Sequence, residues 1–416
     1  MAEITPEIHI DLLMEELATL ARISEADPPI VTRVVFSEAD LRGRTHVKEL
    51  CYEAGLRIRE DAIGNTFVRW EGSEPDLAPV ATGSHIDAIP NAGAYDGVVG
   101  VLGGLEAIRS LQRVGFQPRR PIELIIFTSE EPTRFGIGCL GSRMMGGVLT
   151  PEQAHALHAK DGRSLDVLRS RAGFFGDFDS VLLKPGHFHA FVELHIEQGP
   201  VLEREGLEVG IVTHIAAPAS LKIQVQGEGG HAGALLMPDR HDALCAASEL
   251  ILALEAIAKS TQAIDSVATV GICDVFPGAV NSVPSRVLLE ADIRDIDGPR
   301  RDSMISVLRQ AANHIAATRG VSIQIEIVNA DPPATCSDLV LNAIELAAQQ
   351  AGVGSKRMVS RAYHDSLFVA RFAPVAMIFT PCRGGVSHRP DEYASPSWIR
   401  SGVEVLARTL AELAGE

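Results

Sequence analysis

The stretch from Ala81 to Arg143 constrains this chain most, because two short apolar runs there break off into histidine and carboxylate residues. The runs are Ala78–Thr82 and Ile122–Thr128. Apolar segments this short, continuous rather than alternating, read as strands buried on both faces of a parallel sheet. The first gives way to His85 and Asp87, with Asp96 beyond a loop rich in Gly, Pro and Asn. The second ends in Glu130 and Glu131. Open α/β sheets place their functional groups at the carboxyl ends of such strands.

The rest of the chain surrounds this centre. Residues 7–22 read as a helix with Ile8, Leu12, Leu13, Leu17, Leu20 and Ala21 on one face. Ser37 is placed to cap a second helix that stops near Gly55. Strands follow around Ile58 and Phe67, with Gly64-Asn65 as a hairpin signal between them. A helix from about Val98 to Val114 joins the two apolar runs. Residues 143–188 read as helical and irregular, a cover over the centre, and Phe191–Ile196 is a strand that delivers His195.

Near Gly210 the texture changes. Residues 214–329 read as strand 221–226, helix 240–258, strands 267–273 and 286–293, helix 299–318 and strand 321–327. That β-α-β-β-α-β order is the ferredoxin-like split arrangement. Helix 336–351, strand 374–380 and helix 396–414 then return to the first texture. The expected architecture is α/β. A discontinuous catalytic domain with a mixed, mainly parallel sheet spans residues 1–212 and 330–416, and a ferredoxin-like α+β domain, 213–329, is inserted in it. A length of 416 residues suits two or three domains with cores of their own.

A net charge of -17 argues against nucleic acid or an anionic membrane as partner. Cysteines 51, 139, 245, 273, 336 and 382 are widely spaced, with no CxxC, and read as reduced thiols of a cytoplasmic protein. The first twenty residues lack a basic segment followed by an apolar one, so no secretory leader is expected. No apolar run approaches the roughly 18 residues a membrane span requires.

Imidazole and carboxylate together are the ligand set of Zn²⁺, Mn²⁺, Co²⁺ or Ni²⁺. A dinuclear site needs about five such ligands, one of them a bridging carboxylate. His85, Asp96, Glu131, His195 and His388 are the candidates. Asp87, two residues after His85, is a candidate to orient its imidazole. Taken singly, each of these is more often an ordinary polar residue. The Glu130-Glu131 pair, however, ends an apolar run and precedes Pro132, which disfavours helix at Glu131 and so argues against a solvated helix face. Two adjacent acids can divide labour, one binding metal and the other moving a proton.

At this point GSHIDAIPNAGAYDG, TSEEPTRFGIGCLGSR and ELHIEQGPVLE resemble the amidohydrolase branch of the M20 metallopeptidase family. The resemblance continues in the family's order through GEGGHAGALLMPDRHDA, PGAVNSVPS, EADIRDID, SRAYHDSLFVARFAP and CRGGVSHRPDEYASP. Within the branch, HAGALLMP, NSVPS and AYHDS are most similar to members acting on ureidoglycolate. Carbamoylases tend to carry Thr-Pro in the first of these and a Gly-rich GAGHD at the last.

The resemblance implies two divalent ions per subunit, Mn²⁺ foremost, with Zn²⁺, Co²⁺ and Ni²⁺ open. Asp96 would bridge them, Glu131 and His388 completing one shell and His85 and His195 the other. Glu130 would be the general base. The implied reaction is hydrolysis of the ureido C–N bond of ureidoglycolate to ammonia, carbon dioxide and glyoxylate. Allantoate and N-carbamoyl-L-amino acids are the alternative substrates, with dipeptides more distant. The inserted domain would act as lid and dimerisation domain of a homodimer, its His231 reaching across from the partner subunit to the reacting oxygen. Otherwise His231 is a turn residue among glycines.

A carboxylate-bearing substrate needs a forked donor, and Arg294 is the candidate unless it only pairs with Asp292 or Asp295. Asn281 serves the same end of the substrate, and Gln198 the ureido group. Tyr363 and His364 are candidates to read the hydroxyl or the ureido nitrogens, His364 alternatively holding Asp365 or a backbone group.

Overall fold

The computed structural model describes residues 4–415; residues 1–3 and 416, outermost in the larger expected domain, lie outside the described residues. The chain forms two compact units. One runs to Thr213 and takes in Thr335–Ser360 and the chain from His364 on; the other is His214–Ala334 with Arg361–Tyr363.

The strands used below are β1 (Arg57–Glu60), β2 (Thr66–Trp70), β3 (Val80–His85), β4 (Ile122–Phe127), β5 (Ala190–Ile196), β6 (Val209–Ile215), β7 (Ala217–Gln226), β8 (Val267–Phe276), β9 (Arg286–Asp295), β10 (Ser322–Ala330), β11 (Ala334–Thr335), β12 (Ser355–Ser360) and β13 (Val375–Thr380).

In the first unit the sheet order is β11-β6-β13-β5-β3-β4-β2-β1, with β12 on β6. The centre, β13-β5-β3-β4, is parallel. Every residue of these four strands is buried, which is why they read as mainly apolar runs without alternation. The flanks are antiparallel: β2 pairs with β4, β1 with β2, and β6 with β13. The sheet is therefore mixed, with its parallel part confined to the central strands. Hairpin connections such as that between β1 and β2 impose the antiparallel flank.

Helix Val98–Arg113 links β3 to the neighbouring parallel β4, a βαβ crossover. It packs on the sheet together with helix Pro396–Gly415. The approach is close, because a Cβ on Gly100 would stand 2.3 Å from the carbonyl oxygen of Leu194. Leu194 and Phe191, three residues apart on β5, point to opposite faces of the sheet. On the Phe191 side, Phe67, Phe127, Leu165, Phe178 and Phe188 join one buried cluster. Residues 143–188 thus supply packed core as well as short capped helices at Pro151–His155 and Leu165–Arg171. Ser37 caps helix Glu38–Glu53 by accepting from the Asp40 amide, and Gly55 follows with φ 75°.

The second unit runs β7, helix Ala243–Ser260, β8, β9, helix Gly298–Arg319, β10. Its sheet is antiparallel in the order β8-β9-β7-β10, the split β-α-β-β-α-β topology. Leu221, Ile223, Val225, Leu289 and Ile293 alternate along β7 and β9 and bury against the two helices. β8 is an edge strand.

The Gly100 contact yields a test of opposing effects. Alanine is the better helix former by about 1 kcal/mol, but the added carbon meets the Leu194 carbonyl and, at 2.7 Å, the Cβ of Ser84, neither of them the far end of a flexible side chain. Gly100→Ala should lower the unfolding free energy in urea by about 1–3 kcal/mol, the usual cost of overpacking. Unchanged or raised stability would mean the helix can lift from the sheet freely.

Candidate active site

The carboxyl ends of the central strands in the first unit gather the five sequence-predicted ligands. His85 closes β3 and His195 lies one residue from the end of β5. Glu130 and Glu131 follow β4, His388 lies on the loop after β13, and Asp96 precedes helix Val98–Arg113. Ser129, Gln198 and His388 hold left-handed backbone at φ 58°, 54° and 59° without being glycine. Such strain gathers where side chains must be aimed.

Asp96 sits at the middle. Its Oδ1 lies 3.5 Å from His85 Nε2 and 3.3 Å from His195 Nε2. Its Oδ2 lies 3.4 Å from His388 Nε2, which is 3.2 Å from Glu131 Oε1. Two groups of potential ligands, His85–Asp96–His195 and Asp96–Glu131–His388, thus share one carboxylate.

The far side of two imidazoles fixes what the near side presents. His85 Nδ1 is 2.9 Å from the Asp87 carbonyl oxygen, and His195 Nδ1 is 2.9 Å from that of Ile196. A carbonyl only accepts, so each Nδ1 carries hydrogen and the neutral ring turns a lone pair toward Asp96. The Gly97 amide, donating to His195 Nε2 at 3.1 Å, requires the same tautomer. Lone pairs facing carboxylate oxygens call for a cation between them. Three imidazoles and two carboxylates are a donor set that fits a borderline divalent metal.

Without such a cation, protons take its place. Burial disfavours imidazolium at His85, but the Glu130 and Asp96 carboxylates override it and raise its pKa well above the usual value. The hydrogen bond to Glu131 lifts His388 to about 9. At Asp96 burial is likewise overridden, and hydrogen bonds from His195 and His85 hold its carboxyl well below the ordinary range.

Glu130 stands apart from the ligand groups. Its Oε2 is 3.7 Å from His85 Nε2, and its side chain is 11% exposed. Burial raises its pKa well above the carboxyl norm against the pull of His85, with Glu131, Asp365 and Asp87 adding negative charge. A carboxyl that holds its proton more tightly than usual can accept and return one.

Asp87 departs from its expected role. Its backbone oxygen, not its carboxylate, holds His85; the carboxylate lies 3.7 Å from Nδ1. The carboxylate instead accepts from the amides of Glu130 at 3.2 Å and Glu131 at 3.1 Å, tying the end of β3 to the acid pair beyond β4. A spacing of two residues does not reveal whether backbone or side chain will reach the ring.

Two buried acids escaped sequence reasoning. Glu392 accepts from the amides of Tyr95 at 2.7 Å and Asp96 at 3.1 Å, and from Ser387 Oγ at 3.0 Å. Ser387 Oγ also lies within hydrogen-bond reach of Asp96 Oδ2, its one hydrogen shared between the two carboxylates, so Glu392 joins the Asp96 loop to the His388 loop. Burial pushes its carboxyl up to about 7. Nothing in RPDEY separates it from a solvated acid. Glu193 is wholly buried in β5 between Ser84 Oγ at 2.8 Å and Ser366 Oγ at 2.6 Å. The signal for Glu193 was present, an acid inside the apolar run FVELHI.

The substrate candidates divide between the units. In the first, Gln198 donates from Nε2 to Asp96 Oδ2 at 2.6 Å, and its buried Oε1 has no hydrogen-bond partner among the described residues. His364 is buried behind His195, ring centroids 4.6 Å apart and edge-on, with Nε2 3.0 Å from Ser360 Oγ. Its Nε2 therefore faces Ser360, a partner that the sequence does not single out.

In the second unit, Arg294 forks onto Asp292 at 2.7 and 3.2 Å and donates to the Arg361 carbonyl at 3.1 Å. The Tyr363 hydroxyl bonds the Asp331 carboxylate. His231 is exposed and accepts from the Gly233 amide at 3.1 Å, while the Asn281 carbonyl accepts from the Ala232 amide at 2.9 Å.

Residues 81–412 match the family described as peptidase family M20/M25/M40. The chain is 52% identical over 408 residues to ureidoglycolate hydrolase of Arabidopsis thaliana, covering 96% of this chain and 86% of that protein. It is 39% identical over 410 residues to N-carbamoyl-L-amino acid amidohydrolase of Geobacillus stearothermophilus, covering 98% of this chain and 99% of that one. The crystal structure of AtUAH in complex with glyoxylate is similar with a TM-score of 0.89 at 50% identity, covering 99% of each chain.

The Glu392 bridge predicts a loss that does not depend on turnover. Glu392→Ala should remain folded by circular dichroism yet release divalent metal to a chelator about 10–100-fold more readily, the usual consequence of removing a group that holds a ligand in place. Retention equal to the parent protein would assign Glu392 no part in the site.

Proposed function

The chain belongs to peptidase family M20/M25/M40, and from that premise we propose that it hydrolyses the ureido C–N bond of ureidoglycolate, yielding ammonia, carbon dioxide and glyoxylate. The observation that carries the reading is the shared Asp96 with a separate, poised Glu130 beside it. Identity with a ureidoglycolate hydrolase over nearly the whole chain supports the substrate, as does a similar structure that holds glyoxylate, the expected product.

The reading includes two divalent ions per subunit, Mn²⁺ first, held by His85 and His195 on one side of Asp96 and by Glu131 and His388 on the other. Bound there, such ions supply a water of lowered pKa and positive charge for the carbonyl oxygen. Glu130 takes the proton of the attacking water and returns it to the departing nitrogen. Gln198, with its open Oε1 acceptor, suits a ureido N–H. Arg294, its fork oriented by Asp292, suits the substrate carboxylate, and Asn281 and Tyr363 serve the same substrate. His364 backs His195. His231 donates to the oxygen on which charge develops.

A homodimer through the second unit is part of the proposal, and strand register within that unit supports it. Arg286 lies opposite Gln226, and Arg294 lies opposite Pro218. Eight residues at ~3.4 Å separate the two ends by roughly 27 Å. His231 and Asn281 adjoin the Gln226 end, and Arg294 occupies the other. That separation is too long for one small molecule to bridge, which supports a partner's contribution of His231 and Asn281. The edge strand β8, with Val267 and Ile272 exposed, offers a surface for that pairing. We also place the protein in the cytoplasm, on its unpaired cysteines. Among the described residues no helix is long and apolar enough to cross a membrane.

The first experiment is ammonia release by Mn²⁺-loaded protein from (S)-ureidoglycolate, allantoate, N-carbamoyl-L-amino acids and a dipeptide. Ureidoglycolate should be preferred; preference for another member of the panel would replace the substrate and leave the metal site standing. Glu130→Gln should retain metal and lose about 10²–10⁴-fold in kcat, the span of general acid–base contributions. Mixing subunits of Glu130→Gln and His231→Ala, each inactive alone, should restore about a quarter of parent turnover, as random pairing in a two-fold dimer gives. No restoration after subunit exchange would remove His231 from the partner's site.

A further inference from the structure

Gly64-Asn65 reads from sequence as a two-residue turn, but the structure uses Asn65 differently. Glu60 pairs with Thr66, so residues 61–65 form a longer loop between β1 and β2. Asp61 organises that loop: its Oδ1 accepts from the amides of Ile63, Gly64 and Asn65 at 3.1, 3.0 and 2.9 Å. The Asn65 side chain turns inward and is 0% exposed. Its Nδ2 donates to Asp61 Oδ2 at 2.7 Å, and its Oδ1 accepts from the Thr128 amide at 2.9 Å. Asp61 can only accept and the amide can only donate, so the orientation of the Asn65 amide is determined.

The last ladder pair of β2 and β4 is Thr66 with Ile126. Asn65 Oδ1 takes the place of the next carbonyl and extends the hold on β4 past its end. Two residues further on stands Glu130. Between them Ser129 holds its left-handed φ of 58°, a conformation that relaxes unless its neighbours are held. They are held from three sides. Asn65 takes the Thr128 amide, and Asp87 takes those of Glu130 and Glu131. The amides of Cys139, Leu140 and Gly141 donate to the carbonyls of Glu130, Ser129 and Thr128 at 2.7, 2.9 and 2.9 Å. Buried Arg44 adds Nη1 to the Gly64 carbonyl at 2.7 Å and Nη2 to Thr128 Oγ1 at 3.3 Å. The space is filled, since a Cβ on Gly141 would stand 2.0 Å from Asn65 Oδ1.

We propose that Asn65, locked by Asp61, is a positioning residue that fixes the main chain at Thr128 and so aims Glu130 and Glu131. The inference rests on the reading of Glu130 as base and Glu131 as ligand. It assigns to a hairpin remote from the substrate a share of the catalytic geometry, where a displacement of about 1 Å can cost about 10²-fold in rate.

The test is a set of folded, metal-loaded variants: N65A, N65D, D61N and the exchange D61N/N65D. N65A and N65D should each lower kcat roughly 10–100-fold with KM within about threefold of the parent, and should shift the acid limb of the pH profile. Metal affinity, read by chelator competition, should fall about tenfold through Glu131. The exchange swaps amide and carboxylate: the new carboxylate at position 65 accepts from Thr128, and the new amide at position 61 donates to it. The exchange should restore kcat to within about threefold of the parent, a strong coupling between contacting residues.

A purely structural role would lower Tm while leaving kcat per metal-loaded site and the pH profile unchanged; that result in N65A overturns the inference. If N65A does not fold, the exchange decides, and a folded exchange variant with kcat still depressed overturns it equally. Glu130→Gln separates the two levels. Activity retained there sinks the base assignment itself, whereas loss there with full activity in N65A sinks only the role of Asn65.

Discussion

A buried carboxylate facing three imidazoles is the interaction on which the first unit depends. Asp96 is 8% exposed, and His85 and His195 are 2% and 1% exposed. Taking such groups out of water costs several kcal/mol per charge unless partners compensate. His85 and His195 cannot compensate as neutral rings, because carbonyl groups hold hydrogen on Nδ1 and turn Nε2 lone pairs toward the carboxylate. A cation in the middle, proton or metal, resolves the repulsion. The surrounding fold keeps that cation's place from collapsing or spreading. Four parallel strands end at one level, and Asp87, Glu392 and Ser387 cross-link the loops that leave them.

That division of labour explains what could be read from sequence. The central strands were legible because burial on both faces leaves them mainly apolar, with few interruptions such as Glu123 and Glu193, until the chain emerges at the site. The candidate ligands were legible because histidine and carboxylate stand at the ends of those runs or on the loops that follow them. The groups that hold the ligands were not. Asp87 and Glu392 work through backbone amides, and which amide a carboxylate meets is set by loop geometry rather than by residue type. Arg294 meets Asp292, a partner the sequence offered, whereas the Ser360 hydroxyl beside His364 was not among the partners expected of it, being near in the fold and ordinary in sequence. Asn65 was legible as a turn signal and illegible as a contact with Thr128, which lies 63 residues away.

The second unit follows a different logic. Its strands alternate, because one face of its sheet buries against two helices while the other remains open. Alternation made its topology readable strand by strand, including the order that follows from split β-α-β-β-α-β connectivity. Its candidate substrate residues lie at opposite ends of long strands, so no single pocket forms within it from His231, Asn281 and Arg294. Residues that read as one substrate shell in sequence order are separated by the register of β9 on β7, and register is invisible to motif spacing.

The acid pair shows how environment sets apart two identical side chains. Glu130 and Glu131 are adjacent, and adjacent residues in extended chain project to opposite sides. Left-handed Ser129 before them and Pro132 after them keep the segment from becoming helix, where the two would instead lie about 100° apart on one surface. Glu131 Oε1 consequently meets His388 at 3.2 Å, within reach of a shared ion. Glu130 Oε2 stops 3.7 Å from His85, among other acids that raise its proton affinity. A ligand needs a carboxylate that stays ionised beside a cation, and a proton shuttle needs one that does not give up its proton too readily. The same two residues exchanged in sequence would be chemically identical, so the distinction resides wholly in the backbone that aims them. Precision in that backbone is therefore as much a part of the site as the acids themselves.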